Sequence, residues 1–455
     1  EAELAFNNSG YRQEINRRTI TSQRISRLIP SDAAVIEYVL IDYLRPGFSG
    51  ATPRYIAAII TAKDEPVIVD LGDAYKINPL IDDYRKELLR VAKLEHLPTT
   101  LDLTAYKKIS ESLFQKVFAP IKKYLSDTKL IFVAPDGGLN LVSFAGLLDD
   151  ANKYLIEEYA IQYLSSARDL IRLKEESTVG KGLFAIGDPD YDATALNRLA
   201  ELDNSENASA ENVQYASTRN VRSGCSDFTK TIVSSLPGTR TEVEQIGLNW
   251  QKSNTEPATL CFGSNASEER FKAKAPGNRI LHLATHGYFL EGACVPKTFN
   301  RAIGAKLEIR EENPLLLSGL FFAGANLHGL GSDIEGAEDG VLTAYEVSDM
   351  ILDGTDIVVL SACETGLGEV KEGEGVYGLR RAFQLAGART VISALWPVSD
   401  KETASMMSEI YKVSGETLPV KMRRIQLAKI AELRNAGFAD HPFVWGAFIA
   451  MGDWK

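Results

Sequence analysis

Two residues with reactive side chains, Cys363 and His286, each follow a short run of apolar residues. Cys363 comes just after the run at 357–360, and His286 comes just after the run at 279–284. A thiol beside an imidazole can act as a nucleophile, because the imidazole accepts the thiol proton. The residue types and their setting therefore make Cys363 and His286 a candidate Cys–His dyad.

The elements that must position this pair are two strands. The runs at 279–284 and 357–360 are typical of strands buried on both faces of a parallel sheet. After the second run come a glycine-rich turn, an amphipathic helix and a further buried strand at 390–396, which together predict a βαβ unit. Parallel α/β sheets bind ligands at the carboxyl ends of their strands. If the two strands are neighbours, about 5 Å apart, His286 and Cys363 meet at one edge of the sheet.

The rest of the chain alternates predicted strands and helices, which is typical of an α/β fold. The upstream half has predicted strands at 35–41, 55–61, 66–70, 130–134 and 160–164, and predicted helices at 74–94 and 104–124. The downstream half has predicted strands at 183–187, 258–262 and 444–450, and predicted helices at about 266–275, 376–386 and 418–436. A further helix is predicted to begin at Thr241, because Thr241 and Glu244 have the capping-box spacing.

Composition narrows the class of protein. The chain has 455 residues, enough for two or three domains, and a net charge of −11 with no long basic run, which disfavours nucleic-acid binding. None of the four cysteines forms a CxxC pair, so neither a disulfide framework nor a cysteine zinc site is expected, and a reducing cytoplasm fits. The sequence shows no signal peptide and no apolar run long enough to span a bilayer, so no membrane contact is expected.

No metal and no cofactor are expected. His282 and His286 have the i, i+4 spacing that suggests zinc on a helix, but here they lie on or beside a strand and no HExxH glutamate accompanies them. We therefore interpret His282 as a hydrogen-bonded core histidine. The glycine-rich stretch after Cys363 does not have the glycine spacing of a dinucleotide-binding fingerprint.

Several motifs resemble one protein family, in order along the chain. They are APDGGLNLVSFAGLL, YLSSARDL, LPGTRTEVEQI, ILHLATHGYF, SGLFFAGAN, DGVLTAYEV, VVLSACETGLG, GEGVYGLRRAFQLAGARTVISALWPVSD and HPFVWGAFIAMG. Together they are similar to the CHAT-domain family of caspase-like cysteine proteases, in the separase, caspase and gingipain group. The resemblance runs from about residue 130 to the C-terminus and more loosely from about residue 34.

The resemblance implies a caspase-like fold, with a mostly parallel sheet flanked by helices, and peptide-bond hydrolysis by a His–Cys dyad. His286 matches the family histidine and Cys363 the family cysteine. The sequence lacks the QAC-[RQG]-G signature of true caspases, so their preference for aspartate before the cut is not carried over. Two alternatives stay open: a catalytically silent scaffold that binds peptides, and a thiol hydrolase of a non-protein amide.

The resemblance also suggests the domain organisation and the partners. We expect a helical linker at 1–30, an N-terminal degenerate, pseudo-protease-like α/β subdomain at 31–178 and the active subdomain at 179–455. Because the chain begins at Glu1 and the family often carries helical repeats, we expect a helical-repeat or sensor region upstream of this fragment. The implied substrate is a specific protein in bacterial defence or regulated cell death, such as a gasdermin-like pore former.

Two further residues, Gly287 and Asp400, receive roles in this interpretation. The backbone N–H groups of Gly287 and Cys363 are the candidate oxyanion hole, and Gly287 allows close approach because it has no side chain. Asp400 follows an LWPVS stretch that resembles the LW-x-V-T-D of separases, so it is a candidate pocket for a basic substrate residue. The alternative is that Ser399 and Glu402 form a capping box, which places Asp400 in a first helical turn, where an acid is favourable.

Two long stretches interrupt the regular pattern. The polar stretch at 188–235 is expected to be a surface excursion. The stretch at 289–340 leaves the histidine strand and returns before the cysteine strand. We expect its apolar part, 314–322, to dock as a strand beside the substrate cleft, and its ordering to switch activity on. The alternative is a passive surface insertion.

Overall fold

The computed structural model describes residues 20–44, 51–63, 65–94, 96–174, 178–203, 232–290, 313–327, 334, 336–362, 369–371, 375–398, 400–412 and 415–455. The strands are β1 (Ala33–Leu44), β2 (Ala51–Thr61), β3 (Val67–Asp73), β4 (Leu130–Ala134), β5 (Ala160–Tyr163), β6 (Leu183–Pro189), β7 (Ala258–Gly263), β8 (Ile280–Leu283), β9 (Gly287–Phe289), β10 (Ser318–Phe321), β11 (Val341–Thr343), β12 (Ile357–Leu360), β13 (Glu369–Lys371), β14 (Gly375–Tyr377), β15 (Thr390–Ala394) and β16 (Phe448–Gly452).

The α-helices are α1 (Ser22–Ser26), α2 (Ala74–Ala92), α3 (Thr100–Val117), α4 (Ala119–Lys122), α5 (Leu155–Glu158), α6 (Asp169–Arg172), α7 (Ala195–Asp203), α8 (Pro237–Ser253), α9 (Glu268–Lys274), α10 (Ala344–Ser348), α11 (Leu379–Leu385), α12 (Asp400–Ile410), α13 (Leu418–Asn435) and α14 (Pro442–Trp445). Short 3-10 turns lie at Gly137–Leu141, Phe144–Gly146, Pro314–Leu316 and Ala325–Leu327.

Eleven strands form one sheet, in the order β3-β2-β1-β4-β5-β16-β15-β12-β8-β6-β7. Most neighbouring pairs are parallel. The exceptions are the β1-β2-β3 meander at one edge and the β15/β16 pair in the middle. The predicted α/β fold, with a mostly parallel sheet and flanking helices, is therefore confirmed.

The sheet is buried on both faces, as the apolar runs predict. In β12, Val359 packs into the larger core, while Val358 and Leu360 point into a second core on the opposite face. This alternation follows from the two-residue period of a strand. Strands that are buried on both faces appear in a sequence as continuous apolar runs. For this reason the bounds predicted for β12 agree with the observed ones.

Local signals determine where several helices start and stop. Helix α3 begins with a capping box, in which Thr99 and Asp102 bond each other's backbone N–H groups. At the end of α11, Gly387 has a φ of +117°, a conformation that favours glycine and that ends the helix.

Three predicted boundaries are wrong. Helix α8 begins at Pro237, not Thr241, because a proline is well tolerated in the first turn, where its missing N–H has no helical partner. The predicted helix at 376–386 begins only at Leu379, since Gly375–Tyr377 pairs with Glu369–Lys371 as a hairpin. The last strand is Phe448–Gly452, because His441 caps the short helix α14 first.

The last strand has a consequence for the predicted domain boundary between 178 and 179. Strand β16, from the end of the chain, lies between β5 and β15, parallel to β5. Strands from 31–178 and from 179–455 thus share one continuous sheet. The division into a pseudo-protease-like and an active subdomain stays a prediction.

Among the described residues, no helix is both long enough and apolar enough to cross a bilayer.

Candidate functional site

The strands that precede the two candidate dyad residues are parallel neighbours. Leu360 of β12 is paired with Leu283 of β8, and the Ser361 N–H continues the ladder by donating to the Leu283 carbonyl at 3.0 Å. His286 and Cys363 therefore follow the same edge of the sheet, each three residues beyond a paired leucine. Cys363 itself lies outside the described residues, so its pairing with His286 stays a prediction.

The His286 imidazole is held by a backbone carbonyl. Its Nε2 atom lies 2.9 Å from the carbonyl oxygen of Ser234, in the segment that leads into α8. Because a carbonyl can only accept, Nε2 must carry the hydrogen. In the neutral ring Nδ1 is then the basic nitrogen. This contact selects the tautomer in which Nδ1 can accept a thiol proton.

The backbone around His286 is tied to a tyrosine and a threonine. The Tyr191 hydroxyl lies 3.0 Å from the Thr285 hydroxyl, and the His286 N–H donates to the Tyr191 oxygen at 3.4 Å. The Thr285 hydroxyl also donates to the Phe321 carbonyl. These bonds fix the turn in which the chain leaves β8, so the histidine projects from a rigid point.

Gly287 is in β9, which pairs antiparallel with β10. The Phe321 N–H donates to the His286 carbonyl at 2.9 Å, and the Leu290 N–H donates to the Leu317 carbonyl at 2.8 Å. Hydrogen-bonded pairs alternate along an antiparallel ladder, so the pair between Gly287 and Leu320 is a non-bonded one. The Gly287 N–H consequently points away from β10, and its role as an oxyanion donor stays a prediction.

The apolar part of the second long stretch, 314–322, is a strand only in part. Residues Ser318–Phe321 form β10, which pairs with β9 directly after the histidine, while Pro314–Leu316 is a 3-10 turn. Its expected position beside a substrate cleft stays a prediction. The prediction that ordering of 289–340 switches activity on has no finding for or against it, and residues 291–312 lie outside the described residues.

Asp400 is the first residue of α12, so its placement in a first helical turn is confirmed. Ser399, and the side chains of Asp400 and Glu402, lie outside the described residues. Both the pocket role of Asp400 and the proposed capping box stay predictions.

His282 is a core histidine, as predicted. It is fully buried, its Nδ1 lies 2.7 Å from the Tyr411 hydroxyl and its Nε2 lies 3.0 Å from a Glu242 carboxylate oxygen. The Glu242 carboxylate can only accept, so Nε2 carries a hydrogen and donates to it. Both ring nitrogens are used within the protein, and the three residues join β8 to α8 and to the end of α12.

Within the part of the chain that the structure describes, one group of carboxylates is close enough to hold a cation: Glu268, Glu338 and Glu346. The Lys272 ammonium already lies among them, at 2.7 Å from Glu268 and 3.3 Å from each of the other two. Burial raises the pKa of Glu268 to about 8, and the nearby ammonium opposes that rise. We interpret this cluster as a buried ion-pair network centred on Lys272.

Sequence reasoning missed three residues that shape the site: Tyr191, Ser234 and Asn326. Tyr191 and Ser234 lie in the polar stretch that was interpreted as a surface excursion. Asn326 closes the motif SGLFFAGAN, which carried the family resemblance but received no role. Their contacts with the histidine region join residues far apart in the chain, so the spacing of nearby residues does not predict them.

Comparisons with known proteins identify relatives. Residues 107–453 match the family model described as CHAT domain. Tetratricopeptide repeat protein 28 of Mus musculus is 27% identical over 198 residues, which are 42% of this chain and 8% of that protein. The Homo sapiens protein of the same name is 26% identical over 198 residues, with the same two shares. The chain thus spans under a tenth of the length of these curated relatives.

A solved structure shares the fold. A chain of the Saccharomyces cerevisiae separase–securin complex superposes with a TM-score of 0.50 and 8% sequence identity, covering 95% of this chain and 30% of that one. At this identity the likeness concerns the fold alone, which is the caspase-like α/β fold expected from the sequence.

Proposed function

Because the chain belongs to the CHAT-domain family, whose fold is that of the caspase-like proteases, we propose that it is a cysteine endopeptidase with His286 and Cys363 as its dyad. The observation that carries the proposal is the carbonyl contact of His286. It orients the imidazole so that Nδ1 can act as the base, at the sheet edge where β12, the strand before Cys363, also ends.

The chemistry begins with proton transfer. The Cys363 thiol gives its proton to Nδ1 of His286, and the thiolate attacks the carbonyl carbon of the substrate peptide. The carbonyl π electrons move to the oxygen, and the N–H groups of Gly287 and Cys363 donate to this oxyanion. One such donor contributes about 3 kcal/mol to lowering the barrier.

Collapse of the tetrahedral intermediate breaks the C–N bond. The imidazolium of His286 gives its proton to the leaving amine, which leaves a thioester on Cys363. Water then attacks the thioester, His286 accepts the water proton, and the carboxylic acid product departs as the protonated ring returns the proton to the sulfur. The Ser234 carbonyl supports both steps, because it accepts from Nε2 whether the ring is neutral or charged.

Substrate class, setting and architecture are part of the same proposal. We propose a specific protein substrate, cut in a bacterial defence or cell-death pathway, with a gasdermin-like pore former as one candidate. A reducing cytoplasm is supported by the absence of CxxC pairs among the four cysteines. An upstream helical-repeat or sensor region is supported by the resemblance and by the name of the tetratricopeptide repeat relatives.

The test is labelling and cleavage by purified protein. A cysteine-reactive peptide ketone should label Cys363, and a peptide library should be cleaved. Cys363→Ala should abolish both, and His286→Ala should lower cleavage about 10²-fold or more. Cys261→Ala is the matched control: burial raises the pKa of that thiol to about 11, and its removal should leave cleavage unchanged.

Three results would contradict the proposal in different ways. Cleavage by the Cys363→Ala variant at the wild-type rate would show that the dyad assignment is wrong. Labelling without cleavage of any peptide would favour a thiol hydrolase of a non-protein amide. Peptide binding with neither labelling nor cleavage would favour the silent scaffold.

A further inference from the structure

We propose that Asn326 is a positioning residue for His286: its side-chain amide locks the backbone of Val233, so that the Ser234 carbonyl stays on the imidazole. This inference rests on the proposed function, since it concerns the same histidine.

The amide of Asn326 pairs with Val233 through both of its polar atoms. Its Oδ1 accepts the Val233 N–H at 2.7 Å, and its Nδ2 donates to the Val233 carbonyl at 3.1 Å. Nδ2 also donates to an Asp192 carboxylate oxygen at 3.0 Å. Two bonds to one residue fix its position and rotation, as a neighbouring strand would. The next carbonyl along the chain is that of Ser234.

Asn326 is itself well anchored. Its backbone N–H donates to the Tyr191 carbonyl at 2.9 Å, in the same segment whose Asp192 accepts from its side chain. The turn before it requires Gly324, which has a φ of +87° and where an added Cβ would lie 1.9 Å from the buried Arg198 guanidinium. The amide is therefore presented from a fixed turn at the end of β10.

The surroundings of this contact are apolar. One small cluster joins the segment of Asn326, the segment of Val233 and the strands beside the histidine, and consists of Tyr191, Val233, Phe321, Ala325 and Val341. Apolar packing excludes water that would compete for the amide, which strengthens the pairing with Val233. Ser234, in contrast, is exposed. The position of its carbonyl therefore depends on Val233.

The chemical consequence concerns the nucleophile. With Nε2 donating to the Ser234 carbonyl, the ring is oriented so that Nδ1 can take the thiol proton of Cys363, and a base held in this orientation favours the thiolate. If Val233 is released, the carbonyl leaves Nε2, the ring loses its orientation, and the thiolate population falls.

The experiment measures alkylation of Cys363 by iodoacetamide between pH 5 and 10, with the Cys363 peptide followed by mass spectrometry. This probe needs no known substrate. Asn326→Ala removes both bonds to Val233. Asn326→Asp keeps the acceptor but loses the donor, and it sets a carboxylate against Asp192. Both replacements should shift the pH midpoint of Cys363 alkylation towards the ordinary pKa of a thiol. The alkylation rate at pH 7 should then fall about tenfold for each pKa unit of this shift.

The matched control is Asn278→Ala. Asn278 is also half-buried, and its side chain also makes two bonds to the backbone, donating to the carbonyls of Lys274 and Ala275, but it precedes β8 at the opposite end of that strand from His286. Its replacement should leave the alkylation profile unchanged. Circular dichroism of every variant separates unfolding from a local change.

His286→Ala distinguishes this inference from the proposed function. If His286→Ala shifts the Cys363 profile and folded Asn326 variants do not, the positioning role is wrong and the dyad stands. If His286→Ala leaves the profile unchanged, the dyad itself is wrong. A shift in both, with Asn278→Ala unchanged, supports the positioning role.

Discussion

Leu360 lies directly opposite Leu283 in the parallel pairing of β12 with β8. The two strands end together, and the chain then reaches Cys363 on one side and His286 on the other after the same number of residues. A shared register of this kind suits the proposed two-residue unit, because both residues follow in sequence from strands that end at one edge of the sheet.

Residues that act as one unit should show strongly non-additive effects. We expect the double variant Cys363→Ala/His286→Ala to cleave peptide no more slowly than Cys363→Ala alone, since the imidazole has no task without the thiol. Steady-state cleavage of a library-derived peptide measures this. A double variant whose losses multiply would show that the two residues act independently.

Asp400→Asn tests the pocket role. If the carboxylate receives a basic residue before the cut, the preference for Lys or Arg there should fall by about tenfold, or roughly 1.4 kcal/mol of binding free energy. Glu409→Gln is the control, because Glu409 is on the same helix and pairs with exposed Lys412. Peptide-library profiling of wild type and both variants decides the matter. If Asp400→Asn keeps the wild-type preference for Lys or Arg before the cut, the pocket role is wrong and only the role of an acid in the first turn of a helix is left.

Lys272→Met should destabilise the protein strongly. The replacement leaves Glu268, Glu338 and Glu346 close together without their cation, and breaking a buried ion pair on one side costs about 3–5 kcal/mol. Lys86→Met, which removes an exposed contact to Asp83, is the control and should barely change the free energy of unfolding. Guanidinium unfolding gives both values. Equal stability of the two variants would show that the cluster is not structural.

His441 should make stability depend on pH. Its Nδ1 accepts the Phe443 N–H at 3.1 Å, and burial lowers its pKa to about 4. The unfolded histidine has a pKa of about 6.5, so between these values only the unfolded state binds the proton. The free energy of unfolding should therefore fall as the pH drops from about 6.5 towards 4, by up to about 3 kcal/mol.

His441→Asn keeps an acceptor for the Phe443 N–H but cannot titrate in this range. Guanidinium unfolding of both proteins at several pH values between 4.5 and 7.5 measures the difference. The free energy of unfolding of the variant should depend less on pH than that of the wild type. If the two free energies change in parallel with pH, His441 has no role in this dependence.

The candidate site illustrates how far sequence reasoning reaches. Cys363 and His286 are candidates because they follow predicted buried strands, and the observed pairing of β8 with β12 confirms that these strands are neighbours. His282 was interpreted as a core residue because no pattern gave it a role, and its two hydrogen bonds agree. In contrast, Ser234 has an ordinary side chain and contributes only its carbonyl.

By itself, the sequence determined the α/β class, most strands and the residues able to do chemistry, because burial on both faces and local turn signals leave periodic patterns in nearby residues. Tertiary structure alone decided that β16 lies between β5 and β15 and that the Ser234 carbonyl reaches His286. It also decided that Asn326 holds Val233. These relationships join residues far apart in the chain through backbone groups. Because every residue carries such groups, no residue type in the sequence predicts these contacts.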